Sequence, residues 1–165
     1  EAVRKDINLR PVEGVDGNST DQEILDKLAK FGITPQAVTL WGTGKPLREF
    51  LWSEEMADAS VHVLLNVDFK DTYAEGAKEV RNCHINVGTG KELSIREVAE
   101  KIMKEIDFKG KLQWDSSKPD GTMRKLTDVS KLHALGWHHK VEIDEGIHRL
   151  YEWYLKGICI NHQTT

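Results

Sequence analysis

The sequence predicts a mixed α/β fold, in which helices alternate with short strands. Two Thr/Ser-x-x-Glu capping boxes, at Thr20 and Ser94, each open a run of apolar residues at helical spacing. Two β-branched or apolar runs, at 37–41 and 83–87, each stop at a Gly-Thr-Gly turn, as buried strands do. With 165 residues, 39% hydrophobic and 30% charged, and a mean hydropathy of -0.51, the chain has the composition of a soluble globular domain. A chain of this length buries roughly 70% of the surface its unfolded form exposes.

Residues 1–19 are polar, carry Pro11, Gly14, Gly17 and Asn18, and show no sustained period, which predicts a surface loop or a poorly ordered arm. A helix is predicted over about 21–31, because Thr20 and Glu23 can each take an orphan amide, Ile24, Leu25 and Leu28 share a face, and Gly32 offers a stop. Residues 37–41 read as a strand running into the turn Gly42-Thr43-Gly44-Lys45-Pro46, and 48–52 as a second extended stretch. Ser53 is the expected cap of a helix reaching about Leu65, with Glu54 and Glu55 at its positive end. Residues 68–81 form a weakly patterned connector.

Residues 83–87 read as a buried strand, turned by Gly88-Thr89-Gly90 toward a helix over 94–107 whose Val98, Ala99, Ile102, Met103 and Ile106 keep the helical period. A short strand at 111–114 leads to a turn at 118–122, where Pro119 and Gly121 preset the dihedrals. Asp128 is placed to cap a short helix closing at Gly136. A last helix, 142–155, carries Ile147, Leu150, Tyr151 and Tyr154 on one stripe before Gly157, and the tail from Ile158 is expected to fray.

Composition also excludes classes of function. Net charge is -4, from 23 basic and 27 acidic residues that are interspersed, so no broad basic face offers itself to nucleic acid or anionic lipid. No apolar run approaches the length of a bilayer span, and neither nucleic acid nor membrane is expected as a partner. Cys83 and Cys159 lie far apart in no metal or redox spacing, which fits a reducing cytoplasm without a disulfide framework. The first residues lack the apolar core of a signal peptide, and Glu1 in place of methionine leaves processing, truncation and tag removal open. The histidines show no metal-ligand spacing, and Cys83 reads as inert packing.

The glycine turns invite comparison with dinucleotide fingerprints, which bring backbone close to a pyrophosphate and need Gly-x-Gly-x-x-Gly. Leu47 and Leu93 stand where the third glycine belongs, so neither turn is assigned to a cofactor. Short-chain reductases further need a tyrosine with a lysine four positions on, whose charge lowers the phenol's pKa. Tyr73, Tyr151 and Tyr154 are followed at that distance by Ala77, Leu155 and Ile158, so the catalytic pair is not in this sequence.

Three segments together resemble the carboxy-terminal part of the GDP-L-fucose synthases, which are extended short-chain dehydrogenases/reductases. They are Trp41-Gly-Thr-Gly-Lys-Pro-Leu-Arg48-Glu-Phe-Leu, His84-Ile-Asn-Val-Gly-Thr-Gly90 and Lys118-Pro-Asp-Gly-Thr-Met-Arg124-Lys125-Leu. The stretches 128–137 and 145–154 continue the similarity, which covers roughly 37–157. The pieces around Gly88 and Gly136 are shared with many sugar-nucleotide epimerases and dehydratases, whereas Trp-Gly-Thr-Gly and Lys-Pro-Asp-Gly-Thr-x-Arg-Lys are similar to this family in particular.

That resemblance implies an enzyme that epimerises carbons 3 and 5 of GDP-4-keto-6-deoxy-D-mannose and reduces the 4-keto group with NADPH. It implies the carboxy-terminal part of such a fold without its amino-terminal Rossmann core, so that NADPH belongs to the full-length enzyme and none is expected on this chain. The family's serine, tyrosine and lysine, and its cysteine and histidine acid/base pair, would lie upstream. By motif position, Trp41, Arg48, Asp120 and Lys125 match substrate-binding residues. Implied partners are a GDP-sugar and the missing amino-terminal NADP-binding domain. Stretches 48–52 and 83–87 would pack against that domain's sheet, so exposed edges imply a possible homo-oligomer. The expected organisation is an atypical amino-terminal loop and helix at 1–36, a nucleotide-sugar-binding domain at 37–157 and a tail at 158–165.

On physical grounds each position keeps two readings. Arg48 either clasps two phosphate oxygens or pairs with Glu54 or Glu55 at the surface. Trp41 either stacks on a ribose or base or packs in the core. Arg124 and Lys125 form a compact cationic point or a solvated turn, and Asp120 either bonds a sugar hydroxyl or holds its own turn. The rival assignments for the whole are a part of another nucleotide-sugar epimerase or dehydratase, and a non-catalytic interaction module.

Overall fold

A computed structural model describes residues 2–160 of the chain. Among these residues six helices are interspersed with five short strands, the mixed α/β arrangement expected. They fall into two compact units, one of Glu1–Lys45, Arg96–Gly121 and Ile147–Thr165, the other of Pro46–Ile95 and Thr122–Gly146.

The first unit opens with α1 (Ala2–Leu9), where an irregular arm was expected. Its stability is tertiary: Ile7 is buried, and the Arg4 guanidinium donates to the carbonyls of Gly17 and Ser19 at 2.5 and 2.7 Å and to Asp21 at 2.5 Å. Gly17 passes so near Asn8 that a β-carbon there would lie 2.4 Å from the Asn8 side chain. Such contacts leave no trace in local periodicity. Helix α2 (Asp21–Ala29) starts at the expected box, with the Glu23 amide donating to Thr20 Oγ1 at 3.2 Å and the Thr20 amide to Glu23 at 2.7 Å.

Strand β1 (Ala37–Trp41) pairs in parallel with β4 (Lys111–Asp115), Ala37 opposite Lys111 and Trp41 opposite Asp115. Helix α4 (Ile95–Glu105) has the predicted apolar face, yet Ile102, and Ile106 just past the helix end, remain 43% and 41% exposed. That face does not fill a core; with Ile24, Leu28, Val38 and Leu40 it lines an apolar cavity of about 650 Å³. Helix α6 (Ile143–Ile160) runs through Gly157, where a stop was expected. A mid-helix glycine costs only about 0.5–1 kcal/mol, too little to end a helix this long. Ile147, Tyr151 and Tyr154 are partly buried as expected, whereas Leu150 is 55% exposed and leaves the stripe. Of the expected tail, 158–160 are helical and 161–165 lie outside the described residues.

The second unit is built on Ala59, Leu132 and Trp137, with Leu51, Val63, Ile85 and Val87 packed against them. Fully burying a side chain such as Leu132 contributes about 1.5–3 kcal/mol. Helix α3 (Ser53–Asn66) begins one residue earlier than capping by Ser53 requires, since Trp52 occupies the cap without a side-chain bond. Glu55 in its first turn is buried and accepts from the amides of Lys140 and Val141. Helix α5 (Ser130–Ala134) closes at Gly136, whose φ of 91° supplies the left-handed turn. Asp128 accepts from the Ser130 amide and hydroxyl, one position earlier than a cap.

A three-stranded sheet completes this unit, with β2 (Leu47–Arg48) between β3 (Leu93–Ser94) and β5 (Arg124–Lys125). The expected strands at 48–52 and 83–87 are therefore corrected: the first is limited to Leu47–Arg48, and 83–87 joins no ladder among the described residues. In the second case the Lys131 ammonium takes the carbonyls of Asn82 and His84 that a neighbouring strand would use, together with that of Thr72.

Candidate functional site

In the first unit, β1 delivers Trp41 to the surface with 75% of its area exposed, which removes core packing as its role. The Lys118 ammonium lies over the indole, 5.5 Å from the ring centroid. Beyond it Gly42 takes a φ of 80°, and a β-carbon there would come within 2.3 Å of Asp120 Oδ1. The space belongs to a carboxylate, since Asp120 accepts from the Thr43 amide at 2.8 Å and the Thr43 hydroxyl at 2.6 Å. The hydroxyl bond, then the amide bond, hold the Asp120 carboxyl below its usual value against desolvation, with help from Lys45. Asp120 thus braces the distant Gly-Thr-Gly turn and not its own.

In the second unit, the parallel pairing of β2 with β5 sets Arg48 opposite Lys125. Partners in register on adjacent strands project from the same face of a sheet, about 4.8 Å apart along the hydrogen-bonding direction. Arg48 is not paired with either glutamate considered for it. Its Nη1 donates to the carbonyls of Leu47 and Thr122, each at 2.6 Å, while Glu54 accepts from the Trp52 indole at 3.1 Å and Glu55 from the 140–141 backbone. Lys125 is exposed and has no carboxylate partner among the described residues. Its neighbour Arg124 differs: Nε donates to both Glu92 oxygens at 2.8 and 3.0 Å, and that bond raises the guanidinium pKa. The two cations that look alike in sequence are therefore one engaged and one open.

A concavity of about 710 Å³ adjoins Lys125, lined also by Gly90, Thr127, Ser130 and His133. Desolvation, then the neighbouring His138 and His139, lower the His133 pKa. The second Gly-Thr-Gly turn repeats the logic of the first. Glu49 Oε1 accepts from the amides of Thr89 and Gly90, both at 2.6 Å, and Oε2 from the amide of Thr127 at 3.2 Å. Gly88 makes the approach possible, because a β-carbon there would lie 2.5 Å from Glu49 Oε1. Burial pushes the Glu49 carboxyl up, and the bonds from Thr127, Gly90 and Thr89 together outweigh it, leaving the pKa lowered.

Sequence reasoning singled out both glycine turns without finding what they hold. Each surrounds a carboxylate from elsewhere in its own unit, Asp120 or Glu49. The repeated Gly-Thr-Gly was the available signal, since the threonine supplies amide and hydroxyl donors in both. Among the described residues no group of three or more His, Cys, Asp or Glu is arranged to hold a metal ion, and no helix is long and apolar enough to cross a membrane.

Residues 7–88 match the NAD dependent epimerase/dehydratase family. The chain is 48% identical over 124 residues to GDP-L-fucose synthase 1 of Arabidopsis thaliana, covering 75% of this chain and 35% of that protein. Among solved structures, a GDP-6-OMe-4-keto-L-xylo-heptose reductase from C. jejuni superposes with a TM-score of 0.79 at 38% identity, over 94% of this chain and 45% of that one. The GDP-mannoheptose C4 reductase from Campylobacter jejuni, with NADP bound, gives a TM-score of 0.71 at 41% identity, over 83% of this chain and 38% of that one. By these likenesses the chain is a GDP-L-fucose synthase-like protein, and it spans about a third of the length of the curated relatives it matches.

Proposed function

We propose that this chain is the GDP-sugar-binding portion of a GDP-L-fucose synthase, an enzyme converting GDP-4-keto-6-deoxy-D-mannose to GDP-L-fucose with NADPH. The observation that carries the reading is the register of Arg48 against Lys125, in a chain whose relatives at 44–48% identity are GDP-L-fucose synthases. A diphosphate needs compact positive charge. Arg48 offers a planar fork already anchored through Nη1, and Lys125 a mobile ammonium beside it. Each charge-assisted bond contributes about 1.5–3 kcal/mol.

The other two positions carried over from the family have suitable chemistry. Trp41 presents an exposed indole able to stack on a base or ribose. Asp120 accepts two bonds from Thr43, and an ionised carboxylate has about four lone-pair sites, which leaves capacity for a sugar hydroxyl. NADPH is assigned to the full-length enzyme, with the catalytic serine, tyrosine and lysine in an amino-terminal domain. This chain alone is then inactive, and its setting is the cytoplasm. The organisation proposed is an amino-terminal segment at 1–36, a nucleotide-sugar-binding part at 37–157 and a tail at 158–165.

Calorimetry with GDP, UDP and dTDP tests the reading: GDP is expected to bind most tightly, and Arg48→Ala to weaken it. Equal affinity for all three, or turnover of NADPH by this chain alone, overturns it. The likeness to the two Campylobacter reductases favours one alternative, a GDP-heptose 4-reductase portion. It shares the GDP grip and differs in the sugar, so competition between GDP-fucose and GDP-mannoheptose separates the two.

A further inference from the structure

The carboxylate next to Arg48 has no part in the proposed ligand contacts, yet it accepts four hydrogen bonds. Glu49 follows β2 directly, and Thr127 lies two residues beyond the end of β5. Those strands are only two residues long, too short to fix their own register firmly by ladder bonds. Something else must hold Arg48 opposite Lys125. Glu49 spans the gap: Oε2 takes the Thr127 amide, while Oε1 takes the amides of Thr89 and Gly90 and, at 3.3 Å, the Thr89 hydroxyl. Gly88 has no β-carbon to block the approach.

We propose that Glu49 is a positioning residue for diphosphate binding, tying the ends of β2 and β5 to the 88–90 turn so that Arg48 and Lys125 are held side by side before ligand arrives. The inference rests on the reading of Arg48 and Lys125 as the diphosphate grip. Its physical content is preorganisation: a cation pair fixed in advance loses less freedom on binding than one that must be gathered. Glu49 touches no ligand. Its carboxylate accepts from three backbone amides and the Thr89 hydroxyl.

Two consequences separate positioning from general support of the fold. Glu49→Gln keeps size but weakens the acceptor, and is expected to lower GDP affinity roughly ten- to hundredfold, the size of one lost charge-assisted contact. Guanosine, which lacks phosphates, should bind the variant as it binds the unaltered chain. Coupling is also reciprocal: if the Glu49 bonds favour binding, binding must favour the bonds. GDP should therefore slow amide hydrogen exchange at Thr89, Gly90 and Thr127 in the unaltered chain, a measurement that needs no variant to fold.

The experiment measures GDP and guanosine affinity for the unaltered chain, Arg48→Ala, Glu49→Gln and the double variant, with exchange at those three amides. The expected result is loss of GDP affinity alone in Glu49→Gln, no further loss in the double variant beyond that of Arg48→Ala, and slower exchange on adding GDP. Equal weakening of GDP and guanosine, unchanged GDP affinity in Glu49→Gln, or exchange indifferent to GDP overturns the proposal. If Arg48→Ala itself leaves GDP affinity unchanged, the diphosphate grip fails first and takes this inference with it.

Discussion

Asp120 and Thr43 are joined by two hydrogen bonds, 2.8 Å to the amide and 2.6 Å to the hydroxyl, across 77 positions of sequence. The pairing fixes the turn that follows β1 and gives Asp120 a lowered pKa. A carboxyl lowered on folding adds stability above its unfolded pKa, near 3.9, and loses it as pH falls through the folded value. The melting temperature should thus drop on acidification below about pH 4, and drop less in Asp120→Asn, which has no charge to lose. Thermal scans between pH 6 and pH 2.5 check this; identical pH profiles would show that the pair contributes nothing.

Gly44 and Gly76 make a controlled comparison. Both hold positive φ, 75° and 74°, so alanine at either meets the left-handed penalty of about 1–2 kcal/mol. Only at Gly44 would the new methyl meet the Trp114 ring, at 2.6–2.8 Å, and that ring is held on its other contacts by the Arg96 guanidinium 4.6 Å from its centroid. Gly44→Ala should be the more destabilising by at least about 1 kcal/mol, the usual cost of overpacking. Urea denaturation of the two variants decides it.

Lys131 lends its ammonium to three carbonyls, those of Thr72, Asn82 and His84. Lys131→Met keeps the aliphatic stem and removes the charge, leaving those carbonyls to water. A loss of about 1–3 kcal/mol is expected, with the connector 72–84 opening first. Limited proteolysis should find new cleavage there, and an unchanged digestion pattern would refute the clamp.

Arg124 and Lys125 should behave differently toward GDP despite their adjacency. Arg124 is engaged by Glu92, whereas Lys125 has no carboxylate partner among the described residues. Lys125→Ala is expected to cut GDP affinity by about tenfold or more and to flatten its dependence on salt, and Arg124→Ala to do so less. Titrations at two ionic strengths give the answer, and a larger effect at Arg124 would reverse the assignment.

Trp41→Ala should leave stability within about 0.5 kcal/mol, the range for exposed positions, because the indole is 75% exposed. Its effect should fall on nucleoside affinity. A large loss of melting temperature with affinity intact would return Trp41 to a structural role.

Local chemistry made much of the chain legible before any coordinates. The Thr20–Glu23 box, β1 with its glycine turn, β4 and the left-handed close at Gly136 each depend on residues within a few positions, so propensity and capping specify them. The motifs also placed Trp41, Arg48, Asp120 and Lys125 as candidates. What the tertiary structure alone decided is which groups meet. Helix α1 exists because Arg4 reaches Gly17 and Ser19, and 83–87 stays outside a sheet because Lys131 occupies its carbonyls. The glycine turns close on Asp120 and Glu49, and Arg124 is engaged where Lys125 is open. Every one of these rests on a hydrogen bond between residues distant in sequence, whose partner is chosen by how the chain packs and is written in no local pattern.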